Sequence, residues 1–482
     1  MNKKVIVYVL GTVLKIEGAL MVAPFIIGLI YHEKSGLLFA LCALICAACG
    51  VCLVKIGSDD FSAFYLKDGC IATALSWLLM SLFGCIPFIL TGEIPSFIDA
   101  FFETVSGFTT TGASILSDVE ALSHASLFWR SLTHWIGGMG VLVFLLAIIP
   151  LSGGSNMNLM KSESPGPSVG KLAPKVRTTA TILYVIYFIL SGVQFLLLIF
   201  FEMPLFDAAC ITFGTAGTGG FGVRNSSVAD YNVICQWIIT VFMVLFGINF
   251  SFYFYIYKKD IKRALSMNEV RTYIAIIISA IVVVFLTIGN FSTGIMDRLL
   301  KSSFQVASII SSTGFSTDDF NLWPSLAKTV LILLMIIGAC AGSTGGGVKV
   351  SRVLLMGRDF LREISSYAHP KSVKKIKVDG QAVEGGMLRT VNVYLATFAV
   401  ILAASVIVIS IEGYDFETNF TSALSCLNNI GPGMSLTGAA SNYGFLSPLS
   451  KGVLIFDMLA GRLELFPVLM LFHPAIWSMK HR

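Results

Sequence analysis

Charge is what this chain has least of. Only 13% of its 482 residues are Asp, Glu, Lys or Arg, against 55% hydrophobic ones, and the mean hydropathy is +0.82. A soluble protein of this length needs far more polar surface, so the composition excludes a soluble globular enzyme and indicates a polytopic membrane protein. The signatures of catalysis are also missing. No HExxH, Walker motif, serine-nucleophile elbow or His/Cys metal cluster is evident. Cys42, Cys46, Cys49 and Cys52 fall roughly on one helix face and could suggest a redox or metal cluster. Their Ala/Leu-rich surroundings favour small packing residues instead, and nothing argues for disulfides.

The net charge of +5 is no nucleic-acid signal, because the basic residues sit in particular loops. They group at Lys161, Lys171, Lys175 and Arg177; at Lys258, Lys259, Lys262 and Arg263; at Arg358, Arg362, Lys371, Lys374, Lys375 and Lys377; and at Lys480 and Arg482. The positive-inside rule places these loops and both termini in the cytoplasm. Acidic residues such as Glu93, Asp99, Glu103, Asp118, Glu120, Asp207, Asp318 and Glu417 gather outside, where a mostly acidic vestibule would concentrate cations. Arg298 and Lys301 depart from that pattern. The start, Met1 to Lys4 and an apolar run, resembles a signal peptide, but Lys15 and Glu17 interrupt it, so it reads as a retained helix.

A spanning helix takes about 20 apolar residues, which gives about ten spans and four shorter segments that enter and return. The expected fold is an all-α polytopic membrane protein: four pseudo-symmetric helix–pore-loop–helix repeats around one pore, with two extra N-terminal helices. The expected divisions are 1–60 for those two helices, 66–152, 174–260 and 268–360 for the first three repeats, and 385–482 for the fourth. Residues 151–175 read as a flexible cytoplasmic linker, and 358–388 as the largest cytoplasmic loop, too short for a nucleotide-binding domain.

The repeat rests on four glycine motifs, each after a short apolar stretch. They centre on Gly112, Gly220, Gly314 and Gly431, at intervals of 108, 94 and 117 residues. Four such units can surround an axis and present backbone carbonyls to a cation. The candidate ligands are the carbonyls of Thr110 and Thr111, Thr218 and Gly219, Ser312 and Thr313, and Asn429 and Ile430. Oxygen-only ligation suits alkali ions, and four half-helix dipoles would point their negative ends at the cavity.

Three further features stand out. Arg130 and His134 are either proton-relay residues or hydrogen-bond partners of loop backbone near the outer interface. The run Gly338, Gly342, Ser343, Thr344, Gly345, Gly346 and Gly347 interrupts a helix near mid-membrane, which suggests either a hinged loop below the filter or close helix packing. Arg462 lies roughly mid-span, either facing the pore as an electrostatic barrier or making an ion pair or carbonyl contact that fixes helix packing, for example with Asp457 or Glu464.

The four motifs, His134-Trp135-Ile136-Gly137-Gly138-Met139-Gly140, Gly342 to Gly347 and Gly461-Arg462-Leu463-Glu464 together resemble the Trk/Ktr/HKT superfamily of cation transporters, over nearly the whole chain. The extra N-terminal helices are similar to the Trk branch. The resemblance implies a potassium uptake protein of the bacterial inner membrane, with potassium as its ion and no nucleotide bound to this chain. It implies a homodimer, one pore per protomer, on a cytosolic TrkA-like nucleotide-binding ring. It also implies a gate at residues 338–347 with Lys349, and Arg462 beneath the filter. Glycine at all four aligned positions is the pattern implied for potassium; a first-repeat serine, as in some plant relatives, favours sodium. A proton- or sodium-coupled symporter on the same scaffold is the alternative. A membrane receptor or intramembrane hydrolase is a remote one, since His134 has no evident nucleophile partner.

Overall fold

The structure is a computed structural model, and it describes residues 2–60, 65–138, 140, 176–369, 375–383 and 385–474. The linker expected at 151–175, residues 370–374 of the cytoplasmic loop and the last basic residues lie outside the described residues.

The described chain is helical apart from one small antiparallel hairpin, β1 (Lys377–Val378) with β2 (Gln381–Ala382). Helix α1 (Lys3–Leu20) runs on through α2 (Val22–Ile30) and packs along α3 (Lys34–Ile56). The close approach rests on small residues: a Cβ on Gly11 would lie 2.8 Å from the Gly50 carbonyl oxygen, and one on Gly18 2.8 Å from that of Ala43. Polarity is arranged as a bilayer demands. Leu37, Leu44, Phe200 and Val400 are exposed, while Thr104, Ser106, Ser308, Thr418 and Ser422 are buried.

Among the described residues, six helices are long and apolar enough to cross a membrane, or seven if α10 (Val233–Gly247) and α11 (Phe250–Tyr257) form one span bent by 91°. The other stretches counted as spans from the sequence are broken or partly outside the described residues. The helix α7 (His124–Gly138) is described only to Gly138. The stretch 324–357 divides into α15 (Ser325–Ile337) and α16 (Val350–Ala368), and 448–478 into α19 (Pro448–Arg462) and α20 (Phe466–Leu471). The sequence reading took 232–257 and 448–478 as continuous. The first breaks because Asn249 Oδ1 accepts the Ser251 amide while the Phe250 amide donates to Gly342 O. The second breaks where Glu464 and Leu465 take φ of 63° and 62°.

Four short helices matter most for the site: α6 (Phe97–Phe108), α9 (Leu205–Gly217), α14 (Ile295–Ile310) and α18 (Phe416–Leu427). At 12 to 16 residues and about 1.5 Å of rise per residue, they fall short of a bilayer core of about 30 Å. Each carries an acid in its first turn, respectively Asp99, Asp207, Asp297 and Glu417, which suits the positive end of the helix. Each ends in buried residues at its C-terminus.

Candidate functional site: a ring of carbonyls and the loop beneath it

The four short helices end in the same way. Thr110, Thr218, Ser312 and Asn429 take φ of 55°, 56°, 58° and 54°, and two residues later Gly112, Gly220, Gly314 and Gly431 take φ of 81°, 79°, 84° and 102°. The residue between them donates its amide back five residues into its helix: Thr111 to Ser106 O, Gly219 to Gly214 O, Thr313 to Ser308 O and Ile430 to Ser425 O, at 2.8–3.0 Å. A left-handed residue with a Cβ costs roughly 1–2 kcal/mol, so four of them in register mark a backbone shape held by its surroundings.

The turns also meet one another. A Cβ on Gly112 would overlap the Gly219 carbonyl oxygen, one on Gly220 that of Thr313, and one on Gly314 that of Ile430. A Cβ on Gly431 would stand 2.8 Å from Thr111 O. The succession closes on itself, 112 to 219, 220 to 313, 314 to 430 and 431 to 111, so the four carbonyls share one ring. Glycine is needed at each position twice over, for its φ and for the oxygen it faces. Side chains brace the ring: Thr109 Oγ1 and Thr111 Oγ1 are 2.8 Å apart, Ser311 Oγ and Thr313 Oγ1 2.7 Å, and Asn429 Nδ2 donates to Thr111 Oγ1 at 2.9 Å.

Arg130 hydrogen-bonds loop backbone, as one of the two sequence readings expected, whereas His134 bonds the last turn of α6. His134 Nδ1 donates to Gly107 O at 2.7 Å, and the ring lies behind Gly219. Arg130 pairs with Glu103 at 2.7 Å and reaches Gly222 O at 3.3 Å. The expectation of an acidic vestibule does not hold directly outside the ring. Arg130 and Arg224 line that cavity, and among the described residues no carboxylate does. Of the acids farther out, Asp99 is taken up by Lys451, Asp207 by Arg224, Asp318 by Lys301 and Glu417 by Lys328, while Asp118 and Glu120, next to the cavity-lining Ser117 and Val119, are exposed and accept from Asn225.

On the other side of the ring lies the Gly-rich loop between α15 and α16. Gly346 donates its amide to Ser312 Oγ, and a Cβ there would overlap Asn428 O, so the loop sits against the bases of the third and fourth turns. Gly345 faces Ser311 O, and Gly338 and Gly347 pack on each other at φ of 73° and 84°. Ser343 Oγ donates to Cys340 O and Thr344 Oγ1 to Phe246 O. Lys349 is buried, with its ammonium on Gly345 O. Residues not singled out from the sequence hold this loop: Glu269 accepts the Ala341 amide at 2.6 Å and Asn249 Nδ2 at 3.2 Å.

Arg462 joins three parts of the chain. Its guanidinium donates to Thr344 O at 2.8 Å and to Gly138 O at 2.8 Å, at the end of α7. The next residue back, Gly461, abuts Leu427 O and Asn429 Oδ1 at the base of the fourth turn. Glu464, one of the partners expected for Arg462, is bound by Arg352, whose guanidinium stacks on Tyr394 at 3.8 Å. Asp457, the other, accepts from Ser405 Oγ at 2.8 Å. Among the described residues no group of three His, Cys, Asp or Glu could hold a metal ion, and Cys42, Cys46, Cys49 and Cys52 range from buried to exposed along α3.

A family described as TrkH, cation transport protein, matches residues 39–479. The chain belongs to that family. The Trk system potassium uptake proteins TrkH of Salmonella typhimurium and Escherichia coli are each 33% identical to it over 99% of this chain and all of theirs. That of Halomonas elongata is 31% identical over 99% of this chain and all of its own length. The crystal structure of the potassium transporter TrkH from Vibrio parahaemolyticus superposes with a TM-score of 0.89 at 30% identity, covering 99% of this chain and all of that one. Family and fold are those of a multi-pass cation transporter and not of an enzyme.

Proposed function

We propose that this chain takes up potassium across the bacterial inner membrane through a gated, channel-like pore, with the ring as its selectivity filter. The observation that carries the reading is the closed succession of glycine against carbonyl oxygen around four turns. Oxygens fixed in that way replace the hydration shell of an alkali ion. The names of the relatives, potassium uptake proteins of the Trk system, supply the ion. In this reading Thr110, Thr111, Thr218, Gly219, Ser312, Thr313, Asn429 and Ile430 lend carbonyls, and the four short helices direct their negative ends at the cavity. The four pore units of the sequence reading then become four sectors of one pathway.

The loop at 338–347 is the gate in this account, seated against the turns by Ser312, Lys349 and Glu269. Arg462 tethers it to the first sector and puts a positive charge below the filter. A proton- or sodium-coupled symporter would need a carboxylate on the pathway. Glu464 is held by Arg352, which favours the channel-like reading. We further take the working form to be a homodimer with cytoplasmic termini, joined by a cytosolic TrkA-like nucleotide-binding subunit.

The test is rubidium uptake into liposomes that hold the purified chain, with potassium, sodium or lithium as competitor and with the cytosolic partner present. Potassium competing best in wild type, and losing that advantage in Gly314→Ser, is the expected result. An unchanged order of competition in Gly314→Ser would place the selecting site elsewhere. Reversal potentials that move with pH would favour the symporter.

A further inference from the structure

The outer end of the first turn carries a device that the other three lack. Glu103 on α6 and Arg130 on α7 form an ion pair whose side chains are 0% and 2% exposed. Nearly every polar atom of the pair is used. Glu103 accepts from Arg130 Nε at 2.9 Å, from Ser114 Oγ at 2.9 Å and from the Ile115 amide at 3.0 Å. Arg130 also reaches Ser114 Oγ at 3.4 Å and lies over the Phe221 ring at 4.0 Å, besides its bond to Gly222 O. Ser114 and Ile115 follow Gly112, and Phe221 and Gly222 follow Gly220, so the pair grips the chain just outside the ring in two neighbouring sectors. Nine residues before the other ring glycines stand Ile211, Gln305 and Ser422, none of them charged.

A fully buried ion pair adds little net stability over an apolar replacement, and its value lies in fixing geometry. Here the fixed geometry is that of the filter backbone. We propose that Glu103 and Arg130 are positioning residues for ion selection, which hold the first and second sectors at the spacing that prefers potassium. The inference rests on the filter reading above. The pair touches no ion. Its strut acts through Ser114, Ile115 and Gly222.

The experiment is the rubidium competition assay on Glu103→Gln, Ser114→Ala and Gly314→Ser, in protein first shown to be monodisperse. Glu103→Gln should reduce the potassium-over-sodium competition ratio by roughly tenfold, a change worth about 1.4 kcal/mol, while rubidium uptake persists. Ser114→Ala removes one hydroxyl from the same grip without stranding a buried charge, and should shift the ratio the same way by a smaller factor. It decides the matter if Glu103→Gln does not fold. A purely structural pair would lower the melting temperature and leave the ratio alone. If Gly314→Ser loses the ratio while Glu103→Gln and Ser114→Ala keep it, the strut is refuted and the filter stands. If all three keep it, the filter reading fails, and the strut fails with it.

Discussion

Adding one methyl group at the ring separates two costs that glycine avoids there. Gly92 and Gly413 have φ of 76° and 81° and nothing within 4 Å of a built Cβ. Alanine at either site meets only the backbone cost, roughly 1–2 kcal/mol. At Gly431 the same methyl also stands 2.8 Å from Thr111 O, whereas ordinary contact begins at 3.4 Å. The oxygen must retreat by 3.4 − 2.8, or about 0.6 Å. At Gly112, Gly220 and Gly314 the overlap is greater, so the displacement is larger. Thermal unfolding in detergent and the rubidium competition assay read the two costs separately. Gly92→Ala and Gly413→Ala should lose stability and keep wild-type selectivity. Gly431→Ala should keep uptake with weakened potassium preference, and Gly112→Ala should lose more. Equal selectivity in Gly431→Ala and Gly92→Ala would refute the argument, because a displaced ring oxygen would then have no consequence.

Other outcomes follow from the same geometry. Gly346→Ala pushes the Gly-rich loop away from Asn428 O and should raise uptake without the cytosolic partner; unchanged uptake would count against the loop as a gate. Glu17 is buried in α1, and neither of its carboxyl oxygens has a hydrogen-bond partner among the described residues. Since such burial costs about 1–3 kcal/mol, Glu17→Leu should raise the melting temperature, and a fall would reveal a partner or a role. Burial pushes the Asp415 carboxyl up, but hydrogen bonds from the Thr418 hydroxyl and amide and from Ser435 outweigh it and hold the group below the usual range. A depressed carboxyl stabilises above its unfolded value and loses that contribution as pH falls, here below about pH 4. Melting temperature against pH should therefore drop less steeply on the acid side in Asp415→Ala, which should itself cost about 1 kcal/mol as a lost cap.

The ring was legible in the sequence because glycine is the residue least replaceable where φ is positive and a neighbouring oxygen is close. Gly112, Gly220, Gly314 and Gly431 report both conditions at once. The Gly-rich run at 338–347 was legible for the same reason. The breaks after Gly247 and Arg462 were not. One is made by an asparagine side chain and by Gly342 O, almost a hundred residues away, and the other by Glu464 and Leu465 in left-handed backbone without glycine. Charge was the least legible property. Counting acids near the motifs suggested a negative mouth, but part of that charge is paired: the bases that pair with Asp99 and Glu417 stand 352 and 89 residues away, while Asp118 and Glu120 bond the neutral Asn225. Glu269 and Asn249 were passed over because nothing near them in the chain points to the loop they hold. Glu103 was counted among the outer acids although it is wholly buried.

The central claim is that an ion sits on the axis of the four carbonyls. Anomalous diffraction from crystals of this chain grown with rubidium or thallium tests it directly. The account predicts a peak within coordination distance of the Thr111, Gly219, Thr313 and Ile430 oxygens, weakened when sodium replaces the heavier ion. A well-ordered ring with no peak, or a peak only beside the carboxylates of Glu269, Asp457 or Glu464, would contradict it.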